Sequence, residues 1–173
     1  MDAAQWADFR EKMPQLHDSE GVWEGWYRYY DAETGKLTDQ HRSRLLCRII
    51  EEEGKLPYHQ TNQYFWDDGR TDFREFPADY RDGRIWFDNA LIYGWAAPMK
   101  PDDFNRTTVL NWTRQGEPDT FLYEMIQHSP NGINRARTWQ WFREGICFQR
   151  TLIDEKRVSR DWRSWTDNSP PKN

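Results

Sequence analysis

The sequence predicts an all-β protein: an antiparallel up-and-down meander that closes into a barrel behind one short N-terminal helix. Three observations predict it. Turn residues recur at intervals of roughly 8–14 residues, the spacing of short strands joined by hairpins. The segments between them are rich in aromatic and β-branched residues, and no helical periodicity separates them. A meander of nine or ten short strands removes its exposed edges by closing on itself. The 173 residues are most simply one domain, large enough to bury a real core. Residues 1–158 are assigned to the barrel and its helix, and residues 159–173 to a polar tail.

The segment from Asp2 to about Met13 reads as the helix, with Asp2 as N-cap, Trp6, Phe9 and Met13 at helical spacing, and Pro14 as its end. Gly21–Tyr30, GVWEGWYRYY, is the strand around which the rest is organised. It has no plain solvent face, and Gly25 lets the backbone bend. After the turn at 31–36 comes a strand over Leu37–Ile50, with His41, Ser43, Leu45, Cys47 and Ile49 on one face. Arg42, Arg44 and Arg48 on the other face predict a solvated exterior. Pro57–Trp66 returns as a strand and Thr71–Phe76 as a short one, followed by a turn at Pro77–Gly83. Arg84–Ala90 and Leu91–Met99 are expected strands, with a loop at Pro98 and Pro101. Arg106–Arg114, Thr120–His128, Ile133–Arg143 and Ile146–Asp154 complete the meander. The tail is expected to fray unless Trp162 and Trp165 dock part of it.

Composition narrows the function classes. Hydrophobic residues make up 36% of the chain and aromatics 16%, so Trp, Tyr and Phe must supply much of the core. The net charge of −5 and the absence of a basic block argue against nucleic acid as a partner. No apolar run is long enough for a transmembrane helix, and no signal-peptide pattern opens the chain. Cys47 and Cys147 fit no metal spacing and read as reduced thiols of a cytoplasmic protein, with a disulfide the less favoured alternative. No Gly-rich phosphate loop, HExxH, CxxC or GxSxG motif is present. The expectation is therefore no metal and no cofactor.

The short helix, then Gly21-x-Trp23 opening the first strand, then the meander resembles the calycin superfamily of lipocalins and fatty-acid-binding proteins. The late hairpin, Arg137-Thr138-Trp139-Gln140-Trp141-Phe142 followed by Gln149-Arg150-Thr151, resembles the bacterial branch. That branch holds the S- and T-type phycobiliprotein (bilin) lyases and a related uncharacterised bacterial family. The resemblance implies a closed barrel holding an elongated or aromatic small molecule. It also suggests a carrier that hands a chromophore to a protein partner.

The candidate site residues follow from strand parity. Gln60, Asn62, Tyr64 and Trp66 share one face; either that face meets water or it lines a hydrated cavity, and the two large aromatics favour the cavity. Glu124 faces Arg135 and Arg137 across the Ser129–Gly132 turn. The pair is either an ordinary surface ion pair or an interior arginine that receives a carboxylate or phenolate, oriented by Glu124. Trp26, Trp86, Asn111, Tyr123 and Trp139 complete the expected ligand-binding set with Asn62, Tyr64, Trp66 and Arg137. His41 is the preferred acid–base group, with Asp88 and Glu124 as carboxylates, although a lone strand histidine is more often structural. Two functions remain open on these residues. One is binding of an aromatic or amphipathic small molecule in the cavity. The other is a cofactor-independent lyase or isomerase that moves a proton in the same pocket. A homodimer is an open alternative to a monomer.

Overall fold

In the computed structural model, which describes residues 1–99 and 104–172, the N-terminus is helical in two pieces. Helix α1 (Ala3–Lys12) starts at Asp2. The Asp2 carboxylate accepts from the Gln5 backbone N–H, and the Gln5 side chain accepts from the Asp2 N–H. Pro14 ends α1 but also opens a second short helix, α2 (Pro14–Asp18), at a position where its missing N–H is not needed. Phe9, Met13 and Leu16 from the two helices are buried in the same core as the strands. Tyr80 donates to Asp8, and Gln15 donates to the Thr107 carbonyl, so the helices sit across one end of the barrel.

The ten strands are β1 (Gly21–Asp31), β2 (Leu37–Ile49), β3 (Tyr58–Phe65), β4 (Thr71–Arg81), β5 (Arg84–Asp88), β6 (Ile92–Pro98), β7 (Thr107–Arg114), β8 (Glu117–His128), β9 (Asn134–Arg143) and β10 (Ile146–Ser159). Each pairs antiparallel with the next, and β1 pairs with β10 to close the barrel. The expected Pro101 loop lies outside the described residues. Gly25 is required at the closing seam. A Cβ there would lie 1.9 Å from the Asp154 carbonyl oxygen of β10.

Two expectations need correction. The turn placed at Pro77–Gly83 begins later, because β4 continues through Pro77 to Arg81. Pro77 is tolerated because β4 meets β5 only over Asp79–Arg81 and has no partner on that side at Pro77. The arginine face of β2 does point outward, but it is not solvated. Arg44 is 1% exposed, paired with Glu24 at 2.5 Å, and covered by the Trp165 ring 5.0 Å away. The tail lies along this face. Arg44 donates to the carbonyls of Asp167 and Ser169, Arg42 to that of Pro171, and the Trp162 indole N–H to Glu20. Both cysteines are free thiols, Cys47 buried and Cys147 half-buried.

Candidate ligand-binding site

The barrel interior is built on the inward parity of β1, β3, β8, β9 and β10. Trp23 and Tyr27 of β1 are fully buried, as is Ile153 of β10. Among them lies a charged network closed to water. Arg137 donates to Glu124 at 2.5 Å and to the Tyr27 hydroxyl at 3.0 Å, and its guanidinium lies 3.5 Å from Glu155. Arg135 pairs with the other oxygen of Glu155 and stacks 4.3 Å over the Trp23 ring. All four charged groups are at most 5% exposed, so each depends on the others for its missing hydration. Burial pushes the Tyr27 phenol well above its ordinary value, against the pull of Arg137.

A second polar line runs along β3. Tyr58 donates to Gln60 at 2.9 Å, Gln60 to Asn62 at 2.8 Å, and Asn62 to the Tyr64 hydroxyl at 2.7 Å. These side chains share the inward face because strand parity repeats every two residues. The two networks face each other across a cavity of about 60 Å³ lined by Gln60, Asn62, Glu124, Arg135, Arg137 and Trp139, with Leu16 and Ser19 at the helical end. Arg135 Nη2 and Trp139 Nε1 are buried donors without a hydrogen-bond partner.

At the end away from the helices, the wall opens. Residues 71–78 of β4 pair only with β3, and Ala90 and Leu91 of the loop before β6, with Ile92 at its start, lie across the gap. A cleft of about 680 Å³ fills this gap, floored by Tyr64, Phe76, Ile92, Trp112, Trp139 and Trp141. Its rim is charged. Arg74 pairs with Asp72 at 2.8 Å and Arg114 with Glu117 at 3.5 Å. An apolar floor, a few polar groups and this size suit a small-molecule site.

The structure divides the expected site residues. Asn62, Tyr64, Glu124, Arg137 and Trp139 point inward and line the cavity or the cleft. His41 is inward but packed, 1% exposed, stacked 5.0 Å from Tyr27 and tilted against Trp66 at 4.5 Å, with its ring nitrogens at 3.0 Å from the Tyr29 hydroxyl and 3.2 Å from the Arg42 carbonyl. Burial lowers its pKa to about 4. It lines neither cavity nor cleft. Trp66 sits beside it and donates to the Asp39 carboxylate at 3.0 Å.

Trp26, Trp86, Asp88, Asn111 and Tyr123 lie on the outer parity, contrary to the expectation that they line the cavity. The reason is that outer tryptophans here are covered by guanidinium groups. Arg28 and Arg42 lie 5.8 Å and 6.0 Å from the Trp26 ring, and Arg81 lies 4.9 Å from Trp86. Asp88 is exposed, as is Tyr123 at 51%. Gln60, on the face expected to line the cavity, does line it; Tyr27, Trp112, Trp141 and Glu155 belong to the interior and were not among the expected site residues. The parity shared by Trp23 and Tyr27, and by Arg137 and Trp141, was the signal for two of them.

No protein-family model and no curated protein matches the chain. Solved structures share its fold, two of them as follows. One is an S-type phycobiliprotein lyase from Guillardia theta, with TM-score 0.65 and 12% identity, over 90% of this chain and 98% of that one. The other is a DUF3598-family protein of unknown function from Nostoc punctiforme, with TM-score 0.63 and 16% identity, over 83% of this chain. The chain spans about half the length of the DUF3598 protein, 49%. The likeness extends to the fold, a closed antiparallel barrel of the lipocalin-like form that the sequence predicted.

Proposed function

We propose that the protein binds an elongated, amphipathic aromatic molecule of the linear-tetrapyrrole class. The ring system occupies the cleft and one end enters the interior. The observation that carries this reading is that the two spaces adjoin, since Phe76, Ile92, Trp112 and Trp139 line both. Tryptophan faces supply stacking area, and Trp139 Nε1 is a free donor for a ring carbonyl. The charged rim suits the polar periphery of such a ligand. A phycobiliprotein lyase with the same fold adds support for a tetrapyrrole-like ligand.

Titration with biliverdin tests the reading. Binding is expected to quench tryptophan emission, and Trp112→Leu is expected to weaken it by about tenfold through lost aromatic burial. Absence of quenching by biliverdin, haem, aromatic acids and fatty acids alike would refute a ligand-binding barrel. A second reading, a cofactor-independent lyase or isomerase, is supported by Glu124, a carboxylate in the cavity wall. Mass spectrometry of the same mixtures separates the two. A new product mass marks an enzyme, and an unchanged ligand mass marks a binder.

A further inference from the structure

Resting on that binding mode, we infer that Arg135 anchors a carboxylate arm of the ligand at the helix-capped end of the interior cavity. Four observations lead there. The first is the state of the guanidinium. Arg135 is 3% exposed and lines the cavity. Its Nε donates to Glu155 and its Nη1 to the Cys47 sulfur at 3.7 Å, but its Nη2 has no partner. Buried donors are nearly always satisfied, so a bare one beside a cavity marks a place for an acceptor.

The second is the contrast with Arg137, two positions along the same strand. Its Nε donates to Glu124 and its Nη1 to Tyr27, with Glu155 3.5 Å from the same Nη1. Arg137 thus ties a carboxylate and a phenol of the wall together, whereas the Nη2 of Arg135 is sealed in the wall without an acceptor. The neighbouring amides are not alternatives, because Gln60 and Asn62 direct their N–H groups along β3.

The third is charge. Arg135, Arg137 and Arg157 gather at this end against two buried carboxylates, Glu124 and Glu155. Arg157 stacks 4.6 Å from the Trp23 face, and its Nε and Nη1 are also unpartnered. The nearest further carboxylate to Arg157, that of Asp18, is on an exposed residue. His128 registers the excess positive field. Burial, and then Arg135, Arg157 and Arg137, lower its pKa to about 3. Glu124 shares the cavity wall, but its charge is matched by Arg137. In the cavity wall the two arginines balance Glu124 and Glu155, and half-exposed Arg157 adds a positive field from outside the lining.

The fourth is size. The interior cavity is about 60 Å³. One water needs about 10–15 Å³, so the space holds a handful of non-hydrogen atoms. That fits a carboxylate on one or two methylenes and excludes a ring, which stays in the wider cleft.

The test compares biliverdin with its propionamide analogue, which has the same shape and no carboxylate charge. Both are titrated into the full chain and into Arg135→Lys, which keeps a cation beside Glu155 but removes the second arm. The wild type is expected to bind the acid at least about tenfold more tightly than the amide, the scale of one hydrogen bond to a charged group. In Arg135→Lys the ratio is expected to fall to about threefold or less. If Arg135→Lys does not fold, Arg135→Gln combined with Glu155→Gln removes a cation and an anion together, and the same ratio is read. Equal binding of acid and amide by the wild type would overturn the inference and leave the ligand-binding reading standing. So would a ratio that the substitutions do not change. Failure of both compounds to bind would refute the ligand-binding reading itself.

Discussion

Replacing Glu155 by alanine should unfold the barrel at a markedly lower temperature. The side chain is fully buried, with one oxygen on Arg135 and the other near Arg137 and the Tyr27 hydroxyl at 3.5 Å and 3.4 Å. Its loss leaves Arg135 without its carboxylate partner and Arg137 with Glu124 alone, both out of water. Removing one partner of a buried pair costs about 3–5 kcal/mol. For a domain of this size each kcal/mol moves the melting midpoint by about 2–4 °C, so the expected drop is about 6–20 °C. The neighbouring residue provides the control. Asp154 faces outward with its side chain 76% exposed and pairs with Arg28 at 3.2 Å. Such a surface pair contributes about 0–1 kcal/mol, so Asp154→Ala should shift the midpoint by no more than about 4 °C. Scanning calorimetry or near-UV circular dichroism measures both. Similar shifts for the two variants would refute the account of Glu155 as the hub of a water-free network.

Acid should destabilise the fold through two histidines. Burial lowers His41 to about 4 and His128 to about 3. An unfolded histidine titrates near 6.5, so below that pH the unfolded chain takes up the proton first, and this contribution is fully present only above it. Urea unfolding should show a loss of about 2 kcal/mol per histidine between pH 7 and pH 5; a stability that is flat or rises over that range would contradict two buried neutral rings. Gly25→Ala tests the seam. Its Cβ would lie 1.9 Å from a backbone oxygen of β10, so β1 must move away, with an expected loss of about 3 kcal/mol or more. Gly116→Ala, at φ +79° with open space around it, should cost only about 1 kcal/mol for its backbone strain. Equal losses would remove the steric argument at Gly25.

Much of the fold was legible because hairpin turns are local. Glu51–Gly54, Asp67–Gly69, Ser129–Gly132 and Glu144–Gly145 mark turns by residue type, and the strands between them were readable to within a few residues at most ends. β4, which continues to Arg81, and β10 are the exceptions. β10 runs on to Ser159 because its end pairs with the start of β1, a contact more than a hundred residues distant in sequence. The inward side of β3 and β9 was legible too, since a row of amides ending in Tyr64, and a row pairing arginines with tryptophans, each need partners that only an interior offers.

The side of the wall for single tryptophans was not legible. Trp26 and Trp86 are as aromatic as Trp23 and Trp139, yet arginines from nearby in the sheet cover them on the outside. Sequence alone determined the antiparallel meander of nine or ten strands, the helical start and the placing of Glu124 opposite Arg135 and Arg137, because turn chemistry, capping and hairpin pairing are set by residues near one another. Tertiary structure alone decided that Glu155 and Tyr27 join that partnership, that the tail covers Arg44, and that β4 parts from β5 to open the cleft. Each of these depends on barrel closure, which sets chain segments far apart in sequence at fixed register, and no local pattern carries that register.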